Sequence, residues 1–251
     1  DLIRRHDSIP LMTSRGCPYR CSYCASHLLM DRFCRRNPNR VADEIEYWHH
    51  RFETKNFAFY DDALLVNPGE MIIPLLQEII TRCLPIQFHC PNGLHLKEIT
   101  PEISSLLFRS GFRTIRFGYE TSDAARQQNT GGKVNNLHLR EAVLCLTSVG
   151  YRPQDIGIYI LCGLPGQHAD EVRDSIRFVR SLGTRPFLAE YSPIPGSNLW
   201  RDAVASSRYP IDEEPLFQNN TLLPCRSSSL DEQTYRELKA LTKVPPEVED
   251  P

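Results

Sequence analysis

The 251-residue chain reads as an α/β protein built on a parallel sheet. Three observations predict it. Short β-rich runs alternate with stretches of helical spacing, six such units can be counted, and glycine and proline punctuate several of their ends. Strands separated by helices imply right-handed crossovers, so the six units form either a barrel or an open doubly wound sheet. Periodicity alone does not choose between them.

Residues 9–16, IPLMTSRG, make the first strand, and 40–55, RVADEIEYWHHRFETK, the first helix, with Asn39 as N-cap and Val41, Ile45 and Trp48 at helical spacing. NFAFYDD (56–62) is the second strand, and a helix follows near GEMIIPLLQEIITRC (69–83), with Pro74 early enough that its missing N–H costs little. IQFHC (86–90) is the third strand. TPEISSLLFRSG (100–111) carries both helix signals, Thr100 as N-cap before Pro101 and Gly111 at the close. FRTIRFGYE (112–120) is the fourth strand and NNLHLREAVLCLTSVG (135–150) the fourth helix, ending at Gly150. DIGIYILCGLPG (155–166), HADEVRDSIRFVRSLG (168–183) and RPFLAEYSPIPG (185–196) complete the alternation. Past Pro210 it stops. IDEEPLFQNNTLLPCRSSS (211–229) reads as an irregular crossing segment, LDEQTYRELKALTK (230–243) as a final helix, and VPPEVEDP (244–251) as a disordered acidic tail. The expected division is a core at 1–208 and a C-terminal extension at 209–251.

Hydrophobic residues at 41% and charged residues at 24% are ordinary globular usage. No apolar run reaches the roughly eighteen residues that a membrane span needs. No basic segment followed by an apolar one opens the sequence, so the expected compartment is the cytoplasm. A formal net charge of −2 gives no long-range attraction for nucleic acid, although the arginines of RFCRR (32–36) could touch phosphate.

Nine cysteines are many for such a chain, and three of them crowd RGCPYRCSYCA (15–25) as Cys17, Cys21 and Cys24. A structural zinc site needs a second ligand pair, for which only Cys34 and His27 are near. A redox C-x-x-C uses Cys21 and Cys24 and leaves Cys17 unexplained. The remaining option is a cubane iron–sulfur cluster, whose four irons usually take four thiolates. Three thiolates leave one iron open as a redox-active coordination site.

The spacing C-x3-C-x-Tyr-C, met as Cys17, Cys21, Tyr23 and Cys24 just after a first strand, resembles the signature of the radical S-adenosylmethionine (radical SAM) superfamily. The resemblance covers roughly residues 9 to 200. It implies a partial (β/α)6 TIM-like barrel with a short C-terminal extension and a [4Fe–4S] cluster on Cys17, Cys21 and Cys24. It further implies that SAM chelates the open iron and is reductively cleaved to a 5′-deoxyadenosyl radical, with the electron coming from an external donor such as flavodoxin or ferredoxin. By the same resemblance Asp61 or Asp62 contacts the SAM amino group, Glu120 accepts from the ribose, and Arg116 or Thr121 serves the methionine carboxylate. Ile158 and Gly163 flank the adenine, Tyr23 offers it backbone contact, and YSPIPGS (191–197) closes that side. CPNGLHL (90–96) puts Cys90, Asn92 and His95 near the mouth, and Cys162 ends strand five; the two thiols are candidates for donating a hydrogen atom or carrying a substrate group.

SRGCPYRCSYC, FYDD, PNGL and the stretch GLPGQHADEVRDSIRFVRSLG look most like the branch whose members carry an N-terminal cobalamin-binding domain and include methyltransferases and cyclases. No such domain precedes the first strand here, so cobalamin is expected only if a further domain or a partner supplies it. The expected function is radical modification of an unknown substrate, by methyl transfer or cyclisation. A noncatalytic iron–sulfur or zinc-binding scaffold is the alternative from another class. A tRNA methylthiotransferase is the other enzymatic alternative, and neither its second cluster nor its RNA-binding module is evident.

Overall fold

A computed structural model describes residues 8–244; all of the expected acidic tail except Val244 lies outside the described residues. In chain order the elements are β1 (Ser8–Leu11), β2 (Ser14–Arg15), α1 (Ser26–Leu29), β3 (Cys34–Arg35), α2 (Pro38–Phe52), β4 (Asn56–Phe59), α3 (Ile72–Arg82), β5 (Gln87–His89) and α4 (Pro101–Arg109). They continue with β6 (Phe112–Glu120), α5 (Ala124–Asn129), α6 (Asn136–Ser148), β7 (Ile156–Cys162), α7 (Ala169–Ser181), β8 (Arg185–Glu190), α8 (Trp200–Ser206) and α9 (Glu232–Leu241).

Six strands form one parallel sheet in the order β1-β4-β5-β6-β7-β8. The order never reverses, so there is no topological switch point of the kind a doubly wound sheet has. The sheet is a partial barrel whose edges are β1 and β8. Loops that leave the C-terminal strand ends gather at one mouth, where barrel enzymes place their chemistry.

The expected first strand breaks in two. Thr13 and Ser14 turn away after β1, and β2 pairs antiparallel with β3 in a separate two-stranded ribbon. The cap of α2 is Asn37, two residues earlier than expected. Its side chain accepts from the Arg40 N–H, and Pro38 takes the first helical position, where its fixed φ suits the helix. Thr100 caps α4 as expected, accepting from the Ile103 N–H at 3.2 Å.

Alternation along β6 separates two faces. Ile115, Phe117 and Tyr119 are fully buried, with the Tyr119 ring stacked on Phe178 of α7. Thr114, Arg116, Gly118 and Glu120 take the other, interior face. Phe59, Phe88 and Phe112 join β4, β5 and β6 through ring contacts of 5.2 to 5.6 Å, each contributing about 0.5–1.5 kcal/mol beyond its buried area. Beyond residue 208 the chain packs back on the barrel. Ile211 and Cys225 share an apolar cluster with Leu161, Leu164, Tyr191 and Ala203, while Leu230 and Leu238 join the main core.

Candidate active site

The cysteine loop begins where Asp61 ends β1. This buried carboxylate accepts from the Thr13 N–H at 3.0 Å, the Thr13 hydroxyl at 2.7 Å, the Ser14 N–H at 2.5 Å and the Ser14 hydroxyl at 2.6 Å. Those bonds redirect the chain toward Cys17 and use up the carboxylate. Asp62 points out and is exposed. Asp61 is thus committed to the chain that leads into the cysteine loop, and Asp62 lies on the surface.

The loop itself is clasped from two sides. Ser22 donates its N–H to the Thr130 carbonyl at 3.2 Å and accepts from the Leu199 N–H at 2.9 Å. Gly131, at φ +122°, comes so close that a Cβ there would lie 3.1 Å from the Cys21 Cα. Only glycine combines that backbone angle with that approach. Cys21 is buried, Cys17 and Cys24 are half-buried, and all three are free thiols.

Beside Cys21 lies a buried polar triad. Lys133 pairs with Glu120 at 2.6 Å and donates to the Tyr23 hydroxyl at 3.0 Å, and that hydroxyl donates to Glu120 at 2.7 Å. Glu120 ends β6 at φ +73°, a left-handed conformation that costs a non-glycine residue about 1–3 kcal/mol. A register shift between Gly118 and Glu120 accompanies it and aims the carboxylate at the cysteine loop. Burial works against the Lys133 charge, yet Glu120 and the Cys21 sulfur hold its ammonium above the usual lysine range. Burial likewise pushes the Cys17 and Cys21 thiols up, and Lys133 works in the opposite direction on both. Metal ligation needs thiolates, so a cation placed there is chemically apt.

An iron–sulfur cluster fits this donor set. Among the described residues no three His, Cys, Asp or Glu side chains converge on a single ion. That is compatible with a cubane, in which each thiolate binds a different iron.

A cleft of about 370 Å³ opens next to Cys24. Tyr23, Ala25, Ser26, Leu29, Leu161, Glu190, Tyr191, Ser192 and Ile194 line it with Cys24. Tyr191, Ser192 and Ile194 of the YSPIPGS stretch thus line this cleft, and the volume lies in the range of small-molecule sites. Glu190 accepts from the Tyr235 hydroxyl and from Lys239 at 3.1 Å. Burial opposes its charge, but those two donors and its own backbone N–H hold its carboxyl below the usual range. The turn after β7 is fixed by Gln167, whose carbonyl oxygen accepts from the Gly163 N–H at 2.8 Å and the Leu164 N–H at 3.2 Å.

Several expected contacts are not brought together. Ile158 is fully buried and lies on the face of β7 opposite Tyr159 and Leu161; the period of two gives the cleft to Leu161 instead. Gly163 lies under Leu223 with its N–H spoken for. Thr121 donates to Glu171 at 3.0 Å and is wholly buried. Arg116 lies four residues below Glu120, about 13 Å along the strand, over the Phe187 ring at 4.4 Å. Gly157 makes room for it, since a Cβ there would meet the Arg116 Cδ at 2.4 Å. Cys90 and Cys162 have no exposed surface, and burial pushes both thiols up to about 12. Asn92 is held at the mouth by a bond to the Tyr60 carbonyl at 2.9 Å.

Lys133, Glu190 and Leu161 are the site residues that sequence reading missed. Lys133 had one signal, the TGGK stretch (130–133), whose paired glycines allow close backbone approach. His95 is also closer to the cysteine loop than its position in the sequence suggests. Its ring stacks on Tyr19 at 5.0 Å, and its buried Nδ1 has no hydrogen-bond partner.

The chain is also similar to known proteins. An uncharacterised methyltransferase of Pyrococcus horikoshii is 26% identical over 208 residues, 80% of this chain and 44% of that protein. The cytidylyl-2-hydroxyethylphosphonate methyltransferase of Streptomyces wedmorensis is 26% identical over 215 residues, 83% of this chain and 39% of its own length. The chain thus spans less than half of each. Among solved structures, the radical SAM methyltransferase TsrM of Kitasatospora setae, bound to tryptophan and a SAM analogue, superposes with a TM-score of 0.70 at 18% identity, over 80% of this chain and 39% of that one. That likeness concerns the fold. The Radical SAM superfamily model matches residues 11–179, from the last residue of β1 through the cysteine loop and into α7, and the chain belongs to the Radical SAM superfamily.

Proposed function

We propose that this chain is the catalytic core of a radical SAM methyltransferase, with a [4Fe–4S] cluster on Cys17, Cys21 and Cys24 and SAM in the adjoining cleft. The observation that carries the reading is the three-thiol loop clasped at Gly131, beside the Lys133–Glu120–Tyr23 triad and the cleft of about 370 Å³. The bound cluster supplies one electron for reductive cleavage of SAM to methionine and a 5′-deoxyadenosyl radical. This chain's residues bind and orient. Lys133 pairs with the methionine carboxylate, Glu120 accepts from the ribose hydroxyls, and Leu161, Tyr191 and Ile194 wall the adenine. Methyl transfer is favoured by the two methyltransferase relatives. Cobalamin would come from a further domain or a partner.

The test is anaerobic reconstitution followed by reduction with SAM present. About four irons per chain and formation of 5′-deoxyadenosine are expected, and both are lost in Cys21→Ala. Zinc without sulfide would favour the scaffold alternative. If iron loads normally but SAM is consumed to S-adenosylhomocysteine without 5′-deoxyadenosine, the radical step is wrong and methyl transfer stands alone.

A further inference from the structure

The arginines around residue 34 have no part in the site described above. Residues 15–40 hold six arginines and a single acidic residue, Asp31, in a chain whose formal net charge is −2. Folding gathers several of them. The β2–β3 ribbon sets Arg15 opposite Cys34 and Ser14 opposite Arg35. The Arg36 N–H bonds the Thr13 carbonyl at 2.8 Å, and its guanidinium bonds the Met12 carbonyl at 2.9 Å. The Arg32 backbone runs alongside, since a Cβ on Gly16 would meet its carbonyl oxygen at 2.9 Å. Arg40 follows in the first turn of α2. Between the strands and their flanks lies a shallow depression of about 250 Å³, lined by Met12, Ser14, Arg15, Cys34, Arg35 and Arg36.

Two of these charges are neutralised, Arg35 by Glu70 at 2.7 Å and Arg36 by Glu44 at 2.5 Å. Arg15, Arg20, Arg32 and Arg40 are exposed and have no salt bridge among the described residues. A small anion needs donors that converge in a pocket, whereas these four arginines are exposed at separate positions, on β2, in the cysteine loop, before β3 and in the first turn of α2. Spread positive charge with arginine prominent is what an acidic protein surface recognises. The face also leads directly into the cysteine loop. Only Gly16 lies between Arg15 and Cys17, whose Cα atoms are at most about 7 Å apart.

We propose that this arginine ribbon is the docking face for an acidic one-electron donor protein, placed so that an electron enters the cluster at its Cys17 side. The inference rests on the radical SAM reading. In the transfer the donor's flavin hydroquinone is oxidised to the semiquinone and the cluster gains one electron, with no other bond changed.

The experiment measures cluster reduction by flavodoxin hydroquinone in stopped flow, using the reconstituted full chain. The combined variant Arg15→Ser, Arg32→Ser and Arg40→Ser is compared with Arg51→Ser, Arg109→Ser and Arg113→Ser, which removes the same charge from other exposed positions. The first set is expected to slow reduction at least about tenfold, and the wild-type rate to fall steeply between about 50 and about 300 mM salt. The second set leaves the rate within about twofold, and in both the iron content and the extent of reduction by dithionite match wild type. An unchanged rate in the first set, or an equal loss in both, overturns the docking face. So does full inhibition by inorganic phosphate at constant ionic strength, which would make the ribbon a small-anion site. Absence of iron, or of 5′-deoxyadenosine formed with dithionite, overturns the radical SAM reading and the proposal with it.

Discussion

A carboxylate that accepts from two backbone amides and two hydroxyls is an anion held by dipoles, and Asp61 uses that hold to end β1 and start the cysteine loop. His95 is the opposite case, a buried ring stacked on Tyr19 whose Nδ1 has no hydrogen-bond partner among the described residues. Burial first, then Lys133 and Lys97, lowers its pKa from 6.5 to about 3. The imidazole is thus neutral in the fold, while in the unfolded chain it protonates near its ordinary value. Between those two values the unfolded state binds the extra proton, so stability is complete above about pH 6.5 and is lost as pH falls toward about 3. At about pH 5 the loss attributable to this one group is about 2 kcal/mol. Urea unfolding of His95→Gln at about pH 7.5 and about pH 5 is expected to show a shallower pH dependence than wild type by that amount. Equal dependence in the two proteins would mean that His95 is hydrated or partnered in solution.

The long βα alternation was legible because each element carries its own signals: nine residues of β6 match FRTIRFGYE from end to end, and α4 has its cap and its closing glycine. The elements that escaped notice are short. AARQQN of α5 spans fewer than two turns and has no apolar period to read, and the β2–β3 ribbon is two residues a side. The loop from Thr130 to Lys133 escaped for a different reason: its meaning is a contact across more than a hundred residues of sequence, Gly131 on Cys21 and Lys133 on Tyr23. Local pattern contains no such information. The cysteine triplet and Glu120 could be singled out from the sequence because spacing and strand-end position are local signals. The clasp makes a specific prediction. Gly131→Ala forces a Cβ into the Cys21 backbone at an unfavourable φ, at a cost of about 1–3 kcal/mol. Far-UV circular dichroism is expected to stay native while iron per chain after reconstitution falls by more than about half. Full iron loading would show that the loop moves freely of its clasp.

At the scale of the whole molecule, the C-terminal extension behaves as part of the site. α9 packs on α7 through the main core, and from it Tyr235 and Lys239 reach the end of β8 to bond Glu190 at the wall of the cleft. Burial acts against the Glu190 charge, while the donors on α9, with its own backbone N–H, work the other way and hold the carboxyl below the usual range at the cleft it lines with Cys24. This makes Tyr235 and Lys239 positioning residues for whatever Glu190 faces. Removing both donors in the double variant Tyr235→Phe, Lys239→Met keeps most of the bulk of both side chains and takes away the hydrogen bonds together with the Lys239 charge, the bonds being worth about 1.5–3 kcal/mol for a charged acceptor and less where solvent reaches it. SAM affinity measured calorimetrically on the reconstituted protein is expected to weaken about three- to tenfold, with iron content unchanged. Tyr235→Phe with Lys239→Arg, which restores a cationic donor at the same position, should recover part of the loss. A purely structural role for α9 would instead lower the melting temperature of both variants together and leave their SAM affinities alike.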